Sequence, residues 1–327
     1  MSSGGSSRAV VAALGANLGI AAMKFVAWLV TGASSMLAEA IHSVADSGNQ
    51  ALLLRGAQRA RRPPTTTHPF GYGRERYIYA FIVSIVLFTL GGLFALYEAY
   101  HKYHEVSEGH ENKLLTGSWW WVPLVVLVAA IGMEALSFRT AILEANPMRG
   151  EQGWVSYVRT SKAPELPVVL FEDLAALLGL VLALLGVGLT LMTESGYWDV
   201  AGTAAIGALL VAVAVLLAIE IKSLLVGEGA NPEAEARIKR ALESEPRVDR
   251  VIHLKTLHLG PDELLVAAKI AVRPTERAAD VAAAIDAAER RIRAAEPVAT
   301  SIYLEPDIYR APESPTASSE PPQVSGR

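Results

Sequence analysis

Apolar runs dominate the chain as far as about residue 225, and a shorter-period alternation of apolar and polar positions replaces them after residue 231. Six apolar segments are readable, at about residues 8–30, 35–54, 77–100, 119–146, 166–192 and 198–225. Each is close to or above the ~20 residues that cross a bilayer as a helix. The first carries Asn17 and Lys24, and its length exceeds that of a cleaved signal. Thr31-Gly32-Ala33-Ser34 predicts a tight connection to the second segment, which ends before Pro63-Pro64. The tryptophans at 119–121 and the tyrosines closing the third segment suit an interfacial aromatic belt.

Beyond Asn231 the pattern is that of a soluble α+β domain. Residues 232–242 read as an amphipathic helix with Pro in its first turn. Residues 248–259 and 263–272 alternate like strands, joined at Gly260-Pro261-Asp262. A second helix is expected over 275–295, capped by Thr275, and a third strand over 300–305. This αββαβ order fits a small sheet with both helices on one face, of split βαβ type. The segment 311–327 is Pro- and Ser-rich and is expected to be disordered. The expected division is therefore a transmembrane domain over 1–230, a soluble domain over 231–310 and a tail.

Composition and charge sharpen this picture. Mean hydropathy is +0.32, too apolar for an ordinary soluble protein. The chain of 327 residues has no cysteine, which excludes disulfides, thiolate metal sites and a cysteine nucleophile. Arginines 59, 61, 62, 74 and 76 lie between the second and third segments, and Arg149, Arg159 and Lys162 between the fourth and fifth. The alternate loops carry only Lys102 and Lys113. Positive loops stay in the cytoplasm, so both termini are expected there. His101, His104 and His110 then fall on the outer side, as scattered loop histidines with a weak metal signal.

The second segment holds the most informative chemistry. His42 and Asp46 are four residues apart and share a helical face, which Glu39 and Asn49 extend. Ionisable groups at membrane depth are costly, by roughly 2.5–3.5 kcal/mol each, and normally face a bundle interior or a wet cavity. An imidazole and a carboxylate together make half of a tetrahedral divalent-metal site. A buried His–Asp hydrogen bond between helices is the alternative. The fifth segment adds Glu172 and Asp173, about 100° apart around the helix, so one can join His42 and Asp46 while the other finds a different partner. Ala175, Ala176 and Gly179 leave room for a neighbouring helix. Lys24 and Glu134 are expected to pair with each other or to glue helices together, with Glu134 also a candidate supplementary ligand.

These features resemble those of the cation diffusion facilitators: His42-x-x-x-Asp46, His68-Pro-Phe-Gly-Tyr-Gly-Arg-x-Glu75, the acid on the fifth helix and the αββαβ tail. The resemblance runs from about residue 8 to 310 and is greatest to the zinc-transporter branch with a Glu-Asp pair on the fifth helix. It implies an α-helical membrane protein, a six-helix bundle with a ferredoxin-like cytoplasmic domain, working as a homodimer in the lipid bilayer with no nucleic-acid partner. The implied function is efflux of a divalent transition metal, zinc foremost, by alternating access against protons. Manganese, iron or cobalt export, or a non-transporting metal sensor or scaffold, are the alternatives. The implied ligands are His42, Asp46 and Asp173, with Glu172 as a further candidate. Glu39, Asn49, Glu134 and Lys24 become groups that support the ligands or carry protons. The resemblance also implies a charge contact between Arg74 and Glu228, and a plasma-membrane location in a prokaryote. This sequence departs from the family at Val169, where most members have His or Asp, and at Ile252, Ala268 and Tyr303, which replace the strand ligands of metal-sensing relatives. An enzyme is not implied; a membrane metallohydrolase would want a His-Glu-x-x-His arrangement, which is absent.

Overall fold

The computed structural model describes residues 18–110 and 113–310, so Asn17 and the expected disordered tail lie outside the described residues. The described chain divides into two compact units, one of residues up to 228 with 258–263, the other of residues 229–257 with those from 264 onward.

The first unit is helical. Its long helices are α1 (Leu18–Thr31), α2 (Ser34–Ala60), α3 (Glu75–Ser107), α4 (Val122–Arg149), α5 (Glu165–Thr193) and α6 (Tyr197–Val226). Four of them, α3 to α6, are long and apolar enough to cross a membrane. α1 is described over a shorter stretch, and α2 misses that apolarity although it has 27 residues, because its polar stripe and Arg55 and Arg59 dilute it. Of the six apolar spans expected from the sequence, four are, among the described residues, helices long and apolar enough to cross a membrane on their own.

α2 is the most enclosed. Its residues from Ser34 to Ala40 are all buried, and it packs against α3, α5 and α6. Such a helix needs no apolar outer face, since neighbouring helices rather than lipid cover it. α4 packs chiefly on α5 and is exposed over most of its surface. The connection from α1 to α2 turns at Gly32, whose φ of +66° is a left-handed conformation open to glycine at no steric cost. α3 contains a π-helical stretch, Leu87–Leu93, between two α-helical parts. Pro147 does not end α4 as its position suggests; it sits in the last turn, and Gly150 at φ +58° follows the final residue Arg149.

Residues 232–307 have the expected αββαβ order: α7 (Pro232–Glu243), β1 (Arg250–Gly260), β2 (Glu263–Ala271), α8 (Ala278–Ala295) and β3 (Ala299–Asp307). The sheet order is β1-β2-β3, with β2 and β3 parallel and Val266 opposite Ile302. α7 begins with Pro232, and the Asn231 side chain caps it by accepting from the Ala234 N–H at 2.8 Å. Ile238 and Leu242 of α7, Ala288 and Ile292 of α8, and Val266 and Ile270 of β2 share one core. α8 starts later than expected. Glu276 N–H closes a turn on the Arg273 carbonyl at 3.1 Å, so Thr275 is spent in that turn, and Arg277 takes the cap position without a side-chain bond.

Candidate metal centre

The hairpin of α1 and α2 brings residues nearly equidistant from Gly32 into register. Lys24 Nζ of α1 donates to Glu39 Oε2 at 3.0 Å and to Ser43 Oγ at 2.8 Å, and both charged side chains are buried. The expectation that Lys24 pairs with Glu134 is therefore corrected. Helical hairpin geometry delivers it to Glu39 first.

One turn further along α2, His42 Nε2 stands 3.5 Å from Asp46 Oδ2. Both ring nitrogens of His42 are buried with no hydrogen-bond partner, as are Asp46 Oδ1, Glu39 Oε1 and Asn49 Oδ1. Five of the eight such atoms among the described residues belong to this one stripe. A buried polar atom left unpaired costs about 1–3 kcal/mol, so the concentration of them at His42 marks a place arranged for something other than rigidity. Asp46 and Glu134 line one narrow cleft with Ile20 and Ser43, and Glu172, Glu134 and Asp173 are the carboxylates that surround Asp46 electrostatically.

The two acids of α5 separate as their 100° offset requires. Glu172 turns toward α2, where Asn49 Nδ2 donates to its Oε1 at 2.7 Å. Asp173 turns toward α4, where Ser137 Oγ donates to its Oδ2 at 3.0 Å. Among the described residues no three His, Asp or Glu side chains converge as a finished metal site. The structure thus brings His42 and Asp46 together and sets Glu134, Glu172 and Asp173 around them. Gly179 lies against Glu39, where a Cβ would come within 2.7 Å of Oε1. The room expected at Gly179 is used by a carboxylate of α2.

The expected contact between Arg74 and Glu228 is replaced by two others. Glu228 is bonded by Lys162, from the segment before α5. Arg76, two residues after Arg74, reaches Glu165 of α5, with Nη2 at 2.9 Å from Oε2. Arg74 occupies the N-cap position of α3, a different angular position from Arg76.

A further cluster joins residues that no local sequence pattern connects. Asp199, in the first turn of α6, accepts from Ser34 N–H (2.8 Å), Ser34 Oγ (2.9 Å) and Ser35 Oγ (2.5 Å) at the start of α2. Thr203 Oγ1 stands 2.8 Å from Ser34 Oγ, and Asp199 N–H donates to Thr190 Oγ1 of α5 at 3.0 Å. Asp199 is thus an N-cap supplied by another helix, placing negative charge at the positive end of α2. A Ser-Ser pair at a predicted helix start was the available signal, but its partner lies more than 160 positions away.

Ionisable groups buried inside a helical membrane bundle, here an imidazole and several carboxylates, are the feature that marks an ion path. The chain matches the cation efflux transmembrane domain over residues 10–226 and the cation efflux protein cytoplasmic domain over residues 230–307. It belongs to the cation efflux family, a family of transporters and not of enzymes.

Among its relatives, the mitochondrial proton-coupled zinc antiporter SLC30A9 of Xenopus laevis is 31% identical over 249 residues, 76% of this chain and 43% of that protein. The human SLC30A9 is 30% identical over 239 residues, covering 72% and 41%. Metal tolerance protein C4 of Arabidopsis thaliana is 29% identical over 267 residues, covering 81% and 57%. The chain therefore spans about half the length of these relatives or less. A solved C-terminal domain of MamM aligns with 24% of this chain and all of that one, at 20% identity and a TM-score of 0.23.

Proposed function

We propose that the protein exports a divalent transition metal, zinc foremost, in exchange for protons. The observation that carries this reading is His42, buried in the helix bundle with neither ring nitrogen hydrogen-bonded and a carboxylate 3.5 Å away. A neutral imidazole nitrogen and carboxylate oxygens are ligands that zinc accepts, and in the absence of cysteine the donor set is nitrogen and oxygen. His42, Asp46 and Asp173 hold the ion, and Glu172 or Glu134, both of which act electrostatically on Asp46, completes the set where Val169 offers no ligand.

The metal enters from the cytoplasm while these groups are deprotonated. The bundle then exposes the site to the outer side, where protonation of the imidazole and carboxylates weakens their hold and frees the ion. The protons acquired in that step return inward. His42 suits this exchange because imidazole changes charge near physiological pH. Both termini lie in the cytoplasm by the loop charges, and residues 231–310 pair two copies of the chain into a homodimer. The similarity to proton-coupled zinc antiporters supports the choice of metal and counter-ion.

Purified protein in sealed vesicles tests this directly. An imposed pH gradient should drive zinc uptake that His42→Ala abolishes. Vesicles that accumulate no zinc under any gradient would reduce the protein to a sensor or scaffold.

A further inference from the structure

We infer that Lys24 is a tethered cation that competes with the transported metal for the negative charge of the site, and so sets how readily the ion is let go. This rests on the transport reading above. Lys24 is held by Glu39 Oε2 and by Ser43 Oγ, and Ser43 is the residue next to His42. Among the described residues, the titratable groups within electrostatic reach of its ammonium are Glu39, His42 and Asp46 from α2 and Glu134 from α4. α5 contributes Gly179 at this level, pressed against the remaining oxygen of Glu39. That oxygen has no hydrogen-bond donor.

An ion pair as deep as this is a poor way to hold helices together. Burying two charges costs more than burying apolar side chains of the same volume, which often serve stability equally well. What a fixed ammonium offers and a leucine does not is repulsion of a second cation. In a medium of low dielectric that repulsion is felt across several ångströms. A transport site must bind well enough to fill and weakly enough to empty. Five carboxylates and an imidazole lie around the centre of α2, and each ionised carboxylate would hold back a departing divalent ion. Lys24 offsets part of that charge, and its tether to Glu39 and Ser43 keeps it beside the site without occupying it.

Zinc titration of the purified full-length protein by calorimetry, with zinc flux in proteoliposomes, tests the assignment. Lys24→Gln keeps a donor for Glu39 and removes the charge. It should bind zinc about tenfold more tightly while its maximal flux falls by at least a similar factor. Lys24→Arg should stay within about twofold of the parent in both. The double variant Lys24→Gln/Glu39→Gln leaves no unpaired buried charge, so it assembles even if the single variant does not. Its zinc Kd should lie between those of the parent and Lys24→Gln, or below the parent's where only the double can be purified. A double variant with unchanged or weaker zinc binding would overturn the inference alone. Failure of the unmodified protein to bind zinc would overturn the transport reading, and this assignment with it.

Discussion

Asn49 of α2 and Glu172 of α5 meet at 2.7 Å inside the bundle, amide to carboxylate, one helical turn beyond Asp46. This contact makes Glu172 the acid that joins the two helices, and it leaves Asp173 to face α4 through Ser137. The ligand role of Asp173 rests on the family resemblance and not on this contact; on that reading Asp173→Asn should drop zinc flux to background in a protein that still folds, because an amide cannot supply the charge a divalent ion needs. Glu172→Gln keeps an acceptor for Asn49. It should lower transport about 10–100-fold, as losses behind a ligand usually do. Flux assays on both variants decide between them. A silent Asp173→Asn beside a dead Glu172→Gln would move the ligand to Glu172.

Asp199 caps α2 with three close hydrogen bonds from Ser34 and Ser35. Hydrogen bonds to a charged acceptor contribute about 1.5–3 kcal/mol each, and they are not additive. Asp199→Ala should destabilise the purified protein by roughly 3 kcal/mol, seen as earlier thermal loss of the monodisperse species. Asp199→Asn should recover part of the loss, since its oxygen still accepts. An alanine variant as stable as the parent would show that the cap is not needed.

Lys162 and Glu228 lie outside the membrane spans, and their contact carries a pH signature. Burial pushes the Glu228 carboxyl up, but hydrogen bonds from Lys162 and Ser223 outweigh it and hold the group below its ordinary value of 4.5. Its contribution is therefore fully present above that value and is lost as pH falls through the lower folded value. The pair is partly exposed, so the amount is about 1 kcal/mol or less. Lys162→Glu should impair transport, and adding Glu228→Lys should restore part of it. No rescue in the double reversal would remove the pairing from the mechanism.

The family resemblance sets Ile252, Ala268 and Tyr303 at the positions of metal-sensing relatives' strand ligands, and Ala268 is buried opposite Leu304. A fragment of residues 231–310 should thus dimerise without metal. Light scattering should give the same mass with chelator or with zinc. A zinc-dependent rise in mass would point to ligands elsewhere on the domain.

The features legible in the sequence are those with short sequence separation. The stripe from Glu39 to Asn49 follows from helical spacing, the α1–α2 connection from Gly32, and the αββαβ order from alternation and turn residues. Lys24 was visible as a buried charge. Its partner was not, because choosing Glu39 over Glu134 depends on how a helical hairpin aligns its arms. The cap from Asp199 depends on α6 lying beside α2, a fact no local pattern encodes. Thr275 looked like a cap by type, yet the turn closing on Arg273 consumed it. Arg74 and Arg76 differ by two residues, and only the angle between them decides which one reaches an acid.

The π-helical stretch of α3 has an effect on the rest of that helix. A π-bulge amounts to one residue more than an α-helix needs over the same rise. The part beyond it, Phe94–Ser107, is consequently turned by about 100° from where an uninterrupted α-helix would place it. Gly91 and Gly92 lie in this stretch; a Cβ on Gly92 would fall 2.6 Å from Val211 of α6, and one on Gly91 would fall 3.8 Å from His42 Nδ1. The surplus residue is slack stored beside His42. Taking it up would rotate one half of α3 like a key while the other half stays fixed. Deleting one residue between 87 and 93 would lock that rotation permanently, turning Leu96 and its neighbours off α6.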